Sequence, residues 1–454
     1  MTPTALIVRL GPQDLASPQG FGDYNSVDLH LVTGNRRLGS GLGNAIESLI
    51  GLGAYPSEIG IDLLLLAAAI FAADTRVSRG LTAQDSWTRE LAVLIPVSDP
   101  DRWNASRELL RSILNFLTGD RWSVRFRPRP QGFERMAPVR PLTDVPEPPF
   151  STVSLFSGGL DSFIGAIDLL ENDEVPLFVS HAGEGPTSTA QRACLHALET
   201  NYEQNFSQLR VWMSFPKNLV PGSAPEDTTR GRSFLFFSLA ACAATAFPRT
   251  VTLHVPENGF ISLNVPLDTL RLGSLSTRTT HPFYMARWNE LLQSLGINAS
   301  LHNPYRYLTK GEMCSESQNT EFLCQSLILT LSCSAPSKSR FRNVAPGHCG
   351  YCVPCIIRRA SIQSAFGQDA TPYILANLTQ RPLNTRRAEG QQIRSFQRAA
   401  QRVVGSPSLA GLLIHKPGPL RDDLRNAERL AQVYLRGMTE VHSLLNGIVT
   451  RPIV

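Results

Sequence analysis

Residues 152–170 read TVSLFSGGLDSFIGAIDLL, and the order of residue types in this stretch decides the fold. Thr152 to Phe156 is a short apolar run that suits a buried strand. Ser157 to Ser162 is a glycine-centred turn, and Phe163, Ile164, Ala166, Ile167, Leu169 and Leu170 open an apolar helix. A strand that turns straight into a helix leaves backbone N–H groups unpaired at the helix start. Those groups and the helix dipole together form an anion site. Gly158 and Gly159 let the main chain turn sharply and approach a phosphate with no Cβ in the way. Ser157 and Ser162 add hydroxyl donors. Asp161 would repel a phosphate directly, so its expected task is to hold Mg2+ that bridges the phosphates. No Gly-Lys-Ser/Thr follows. The turn is therefore not a Walker A loop, and transfer of a γ-phosphoryl group is not implied.

Downstream the alternation continues. Pro176 to Ser180 reads as a strand, Ala190 to Asn205 as a helix, Leu209 to Met213 as a strand, Phe234 to Ala246 as a helix and Thr250 to Val255 as a strand. This βαβαβ rhythm predicts a parallel sheet covered on both faces, within a unit spanning 151–368. Upstream, residues 128–150 carry prolines at 128, 130, 138, 141, 146, 148 and 149, too many for a helix or a central strand, and are expected to be a linker. Residues 1–127 are expected to form an α+β domain, from the apolar strand Leu91 to Val97, the helical spacing of Trp103 to Leu117 and the alternating strand Arg121 to Arg127. Gly39, Gly41 and Gly43 lack the spacing of a dinucleotide fingerprint and read as a flexible loop. Residues 369–454 read as helical, with Leu424, Ala427, Ala431, Leu435, Met438, Val441 and Leu445 at three- and four-residue steps.

Hydrophobic residues are 42% of the 454 and charged residues 18%, a globular composition. The net charge of +5 is weak for this length, so nucleic acid is not an expected partner. The longest apolar run, Leu63 to Ala73, is about half of the roughly 20 residues that span a bilayer, and reads as a buried helix. Residues 1–14 lack the pattern of a signal peptide. No membrane association and a cytoplasmic location are expected. Only four basic residues are lysines, Lys217, Lys310, Lys338 and Lys416.

Three of the eight cysteines fall at Cys349, Cys352 and Cys355, two CxxC steps that share the middle residue. Thiolates at this spacing can close around one ion, and zinc takes four ligands. Cys333 and His348 are both candidates for the fourth, and the spacing also suits an iron–sulfur cluster. Cys194, Cys242, Cys314 and Cys324 have no such spacing and read as buried small hydrophobes.

The SGGxDS turn resembles the PP-loop of ATP pyrophosphatases, and the wider stretch 151–368 resembles the 7-cyano-7-deazaguanine synthases (QueC). Their Ser-Cys, loop and CGxCxxCxxR pattern is similar to Ser332-Cys333, Cys349-Gly350-Tyr351-Cys352 and Cys355 to Arg358. The resemblance implies a Rossmann-like, adenine nucleotide α-hydrolase-like fold closed by a structural Zn2+ on Cys333, Cys349, Cys352 and Cys355. It implies that ATP is held by Ser157, Gly158, Gly159, Leu160, Asp161 and Ser162, with the adenine beside Val179, Ser180 and His181. Arg230 to Leu235 resembles a PGRNxxFL segment, with Ser233 in place of Asn, and makes Arg232 a candidate for phosphate or carboxylate. Glu257 and Asn258, at the end of a strand, could read a base edge. Tyr307 to Met313 resembles an LTKAEI segment, in which Thr309 and Glu312 form a capping box and Lys310 could reach a phosphate or an adenylate. Asp161, Lys310 and Arg232 are thus the expected catalytic groups. Residues 278–282 depart from the family: either Arg278 and His281 face the substrate there in place of its usual residues, or the substrate differs.

The implied activity is that of an ATP-dependent ligase. A carboxylate of a 7-deazaguanine attacks the α-phosphorus, pyrophosphate leaves, and a nitrogen nucleophile, either ammonia or a protein amine, takes the acyl group. The extra residues at both ends make the layout similar to QueC-like proteins of bacterial anti-phage defence operons such as the Qat system, which implies operon proteins as partners. A tRNA-modifying PP-loop enzyme with an iron–sulfur cluster and a catalytically silent nucleotide-binding scaffold are the alternatives. The sequence does not fix an oligomeric state.

Overall fold

A computed structural model describes residues 3–453 except 18–19, 33–35, 84–86, 142–146, 184, 204, 227–229, 269–277 and 338–346; Pro146 of the expected linker lies outside the described residues. Two parallel sheets organise the chain. The first is built from β1 (Thr4–Arg9), β2 (Asn25–His30), β3 (Glu90–Val97) and β4 (Arg121–Pro128) in the order β2-β1-β3-β4. All of its pairs are parallel. The N-terminal part is therefore layered α/β and not α+β. The reason is visible in β3, ELAVLIPV, which is buried at every residue after Glu90, as a parallel strand covered on both faces must be.

The second sheet contains β5 (Thr152–Leu155), β6 (Pro176–His181), β7 (Ser207–Val211), β8 (Val251–His254) and β9 (Ala299–His302), ordered β7-β6-β5-β8-β9 and again all parallel. The expected alternation of strand and helix is present, with crossover helices Leu160–Glu171, Gly185–Asn201, Arg232–Ala244 and Pro282–Ser294. Side chains along β6 divide by the two-residue period of a strand. Leu177 and Val179 join the core on one face, and Phe178 joins a separate core with helix Leu160–Glu171 on the other.

The apolar run Leu63 to Ala73 is the centre of helix Glu58–Arg76, whose start is capped by the Ser57 hydroxyl. Every residue from Gly60 to Thr75 is buried, because the helix is sandwiched. One side packs on β1 and β3, and the other packs on helix Arg232–Ala244, which backs the second sheet. One hydrophobic core thus runs through both sheets. Each buried leucine or isoleucine contributes about 1.5–3 kcal/mol. Among the described residues no helix is long and apolar enough to cross a membrane.

Charge also joins the two sheets. Arg89, wholly buried, pairs with Asp74 Oδ1 at 2.8 Å and Asp120 Oδ2 at 2.7 Å. The other oxygen of Asp74 accepts the Gly231 N–H at 2.7 Å. Asp74 thereby anchors the start of helix Arg232–Ala244 from the N-terminal layer. Removing one partner of such a buried pair costs about 3–5 kcal/mol.

The C-terminal part is mainly helical, with Ala388–Gly405, Leu409–Leu413 and Ala427–Leu445, plus a two-residue parallel pairing of β10 (Leu383–Asn384) with β11 (Thr450–Arg451). The buried stripe of the last helix is Leu430, Val433, Tyr434, Gly437, Met438, Val441 and Leu445. Leu424 lies before that helix and is exposed. The Gly39-to-Gly43 stretch is not simply a loop, since helix Leu42–Gly51 begins within it.

Candidate functional site

The order β7-β6-β5-β8-β9 reverses direction between β5 and β8, and in open α/β sheets ligands bind outside the carboxyl ends of the strands at such a reversal. The turn after β5 lies there. Gly158 has φ 77°, a conformation that favours glycine, and a Cβ on it would stand 2.9 Å from the Gln191 backbone nitrogen. Its carbonyl accepts the Leu331 N–H at 2.8 Å. Ser162 Oγ lies 3.1 Å from Ser157 Oγ and accepts the Ser157 N–H at 3.2 Å, while Ser157 Oγ accepts the Gly159 N–H at 3.2 Å. The first closed turn of the helix is Phe163 N–H to the Gly159 carbonyl at 3.0 Å. The amides of Leu160, Asp161 and Ser162 are left at the helix mouth, where a helix has no internal acceptors for them.

Asp161 and Asn258 meet across the reversal. Asn258 Nδ2 donates to Asp161 Oδ2 at 2.8 Å, and Lys310 Nζ lies 2.9 Å from Asp161 Oδ1. Gly165 makes this approach possible, since a Cβ there would fall 2.5 Å from the ring of Pro256. Lys310 is 4% exposed and Asp161 7%, so the pair is largely out of water and a lost partner would be costly. Thr309 caps the short helix Lys310–Ser315, and with Glu312 it forms the expected capping box.

Glu257 stands next to this pair. Its carboxylate accepts the Thr280 hydroxyl at 2.8 Å. Burial and the negative charge of Asp161 push its carboxyl up to about 7, against the Thr280 hydrogen bond and the charge of Lys310. Asn303 holds the Glu257 carbonyl at 2.8 Å and bonds the Ser262 hydroxyl at 3.3 Å. Arg232 donates to the His181 carbonyl at 3.2 Å and lies over the Phe236 ring. Among the described residues no carboxylate pairs with it.

Two expected placements are corrected. The His181 ring is packed against Phe71 and Phe236 in the core between the sheets. Burial and the Arg232 guanidinium lower its imidazole to about 4. Its carbonyl, bonded by Arg232, also accepts from Gln191 Nε2 at 3.3 Å. His281 is wholly buried; its Nδ1 caps helix Pro282–Ser294 and its ring rests on Phe116. Burial and Arg278 lower it to about 3. Arg278 donates to the Phe116 carbonyl at 3.1 Å and covers the same ring. Both therefore serve the contact with the N-terminal layer. Thr280 is the residue of that segment that reaches the Asp161 group.

The four cysteines converge. The Sγ atoms of Cys333, Cys349, Cys352 and Cys355 all lie within 4.8 Å of one another, with Cys333–Cys352 and Cys349–Cys355 both at 3.9 Å. Four sulfurs on one zinc at about 2.3 Å stand roughly 3.8 Å apart. The set could therefore hold a single metal ion such as zinc, and it is too tight to surround a cluster of several irons. Cys352 and Cys355 sit at the N-terminus of helix Val353–Phe366, where the dipole favours thiolate. His348 is not a ligand candidate, because its Nε2 accepts the Ser332 N–H at 3.1 Å and so fixes the neighbour of Cys333. Of the other cysteines, Cys194, Cys242 and Cys314 are buried as expected, but Cys324 is exposed.

The cysteine set and the glycine turn are neighbours in space, although far apart in the chain. Leu331, bonded to Gly158, is two residues from Cys333. Arg358, wholly buried in the cysteine helix, donates to Thr330 Oγ1 and the Leu327 carbonyl, each at 2.7 Å. Gln191, Thr280 and Asn303 belong to the site but carry no local motif that marks them.

No protein-family model matches the chain, and no curated protein matches it.

Elemental analysis of purified protein should find zinc near one equivalent per chain, and Cys355→Ser should lose both the metal and thermal stability, because the free energy of structural zinc binding is folding free energy. Iron in its place, or a metal-free protein that unfolds at the same temperature, would contradict the assignment. The raised Glu257 carboxyl predicts a second outcome. A folded-state pKa above the unfolded one stabilises the fold at low pH, and this contribution is lost as pH rises through about 7. In urea titrations Glu257→Gln should gain stability relative to wild type between about pH 4.5 and 7, and no further above it. A difference that is flat across that range would show Glu257 to be ordinary.

Proposed function

We propose that the chain is an ATP-dependent adenylating enzyme of QueC-like type, which activates a carboxylate and passes it to nitrogen. The observation that carries this reading is the meeting of Asp161, Lys310 and Asn258 at the strand reversal, beside a glycine turn backed by free helix-mouth amides. Such a site suits a polyphosphate. Amides and the Lys310 ammonium offset its charge, and little chemistry beyond positioning and electrostatics is demanded of the protein.

Asp161 would hold the Mg2+ that accompanies ATP. Oδ1 faces Lys310, and Oδ2 accepts from the side chain and, at 3.5 Å, the backbone N–H of Asn258; a carboxylate accepts about four hydrogen bonds, so a lone pair would remain for a cation that also binds phosphate. That ion would supply charge neutralisation for the leaving pyrophosphate. In the reaction, a carboxylate oxygen of the substrate bonds to the α-phosphorus as the bond to pyrophosphate breaks. Nitrogen then bonds to the acyl carbon as AMP leaves, and the amine gives up a proton. Glu257, with a carboxyl near 7, suits the acceptance of that proton at neutral pH. Arg232, without a carboxylate partner among the described residues, suits the substrate acid.

A 7-deazaguanine acid is the proposed substrate, on the resemblance of residues 151–368. The nucleophile is ammonia or an amine of a partner protein, and the Qat-like layout favours a role in anti-phage defence. The tightness of the cysteine set counts against the iron–sulfur version of a tRNA-modifying enzyme. The intact Asp161–Lys310 pair counts against a silent scaffold.

ATP–pyrophosphate exchange, run over a panel of deazapurine acids, tests the reading. Wild type should exchange, and Asp161→Asn should lose activity by on the order of a hundredfold or more. Exchange that survives in Asp161→Asn, or pyrophosphate that never appears with any acid, would reject adenylation at this site.

A further inference from the structure

Lys310 reaches Asp161 from a helix of only six residues, so something outside that helix must hold it. The last long helix, Ala427–Leu445, does so. Arg436 grips the segment on one side, with Nε 2.5 Å from Glu312 Oε1 and NH2 2.8 Å from the Tyr307 carbonyl. One turn later Glu440 grips it at Thr309 and Gly311, the residues on either side of Lys310. The Thr309 hydroxyl donates to Glu440 Oε1, and the Ser361 hydroxyl lies 3.3 Å from Oε2. A Cβ on Gly311 would stand 2.7 Å from Oε1, so the carboxylate lies against the Gly311 backbone on one side of Lys310 and holds the Thr309 hydroxyl on the other. The same Thr309 oxygen accepts the Glu312 N–H at 3.1 Å, which links the carboxylate, the cap and the first helical turn in one chain of bonds.

We infer that Glu440 is a positioning residue for Lys310, so that the C-terminal helix completes the Asp161 site. Two observations separate this from ordinary helix packing. Glu440 borders a cleft of about 760 Å3 lined by Gly311, Glu312, Gln363, Arg436 and Ser443 among others, and is not sealed within the apolar stripe of its helix. Burial and the nearby Glu312 push its carboxyl up, while Thr309, Ser361 and the Gly311 backbone pull it down. An apolar residue would pack there at less cost, and the carboxylate spends Oε1 on Thr309 beside Lys310 and Oε2 on Ser361 of helix Val353–Phe366. Lys310's role at the phosphates rests on the reading proposed above; its placement by Glu440 does not.

The small number of lysines makes a direct test possible. Lys217 and Lys416 are exposed, whereas Lys310 is 4% exposed and paired. In brief labelling of the full-length protein with acetic anhydride, read by mass spectrometry, Lys310 of wild type should label far more slowly than Lys217 and Lys416. Glu440→Met keeps the stem but removes the acceptors, and should raise Lys310 labelling by on the order of tenfold against those two internal standards. Glu440→Gln, which still accepts from Thr309, should stay within about twofold of wild type. Thr309→Val breaks the same bond from the other side, and should reproduce the Met variant if that one does not fold. In pyrophosphate exchange the Met variant should lose kcat with KM for ATP little changed, and the Gln variant should recover it. Wild-type labelling of Lys310 in a folded Glu440→Met or Thr309→Val protein would overturn the inference. An absence of exchange in wild type would reject adenylation and leave the labelling result standing.

Discussion

Asp161 is held by an ammonium on one oxygen and an amide on the other, in a place with little water. A buried carboxylate is tolerated only while such partners stay in position. Asp161 comes from the helix after β5, Asn258 from the end of β8, and Lys310 from a short helix after β9. The requirement that these three groups remain together constrains the packing of every element that carries them.

The supports come from three directions. The cysteine set backs the glycine turn through Leu331 and Gly158. The N-terminal layer reaches the opposite side, where Asp74 pins Gly231 at the start of the helix that carries Arg232. The C-terminal helix holds the Lys310 segment through Arg436 and Glu440. The residues at both ends of the chain are thus packed into the walls of the site: the N-terminal layer shares one hydrophobic core with the second sheet, and the C-terminal helices share another with Phe260, Leu263 and Ile356, so both are costly to separate from it.

Much of this was legible before the fold. The glycine turn, the helices on either side of β6 and the capping box at Thr309 are local patterns, and local patterns survive in the structure because tertiary packing agrees with them. The cysteine spacing was equally direct, since three ligands lay within seven residues. What escaped was set by distant partners. β2, NSVDLH, is largely exposed along one edge and has no apolar signature, so the parallel character of the first sheet did not show. The ring of His181 turns into the core because Phe71, more than a hundred residues earlier, packs against it. His281 is a helix cap that happens to lie in an unusual segment, and Glu440 sits on a polar step of an amphipathic helix, where nothing local distinguishes it from a solvated acid.

The account stands on the turn from Gly158 to Ser162 receiving linked phosphates. A crystal structure with a non-hydrolysable ATP analogue and Mg2+ tests that most directly. The β- and γ-phosphates should lie on the backbone amides of this turn, with Lys310 and Asp161 beside them. A nucleotide bound elsewhere, or phosphates that leave those amides uncontacted, would contradict it.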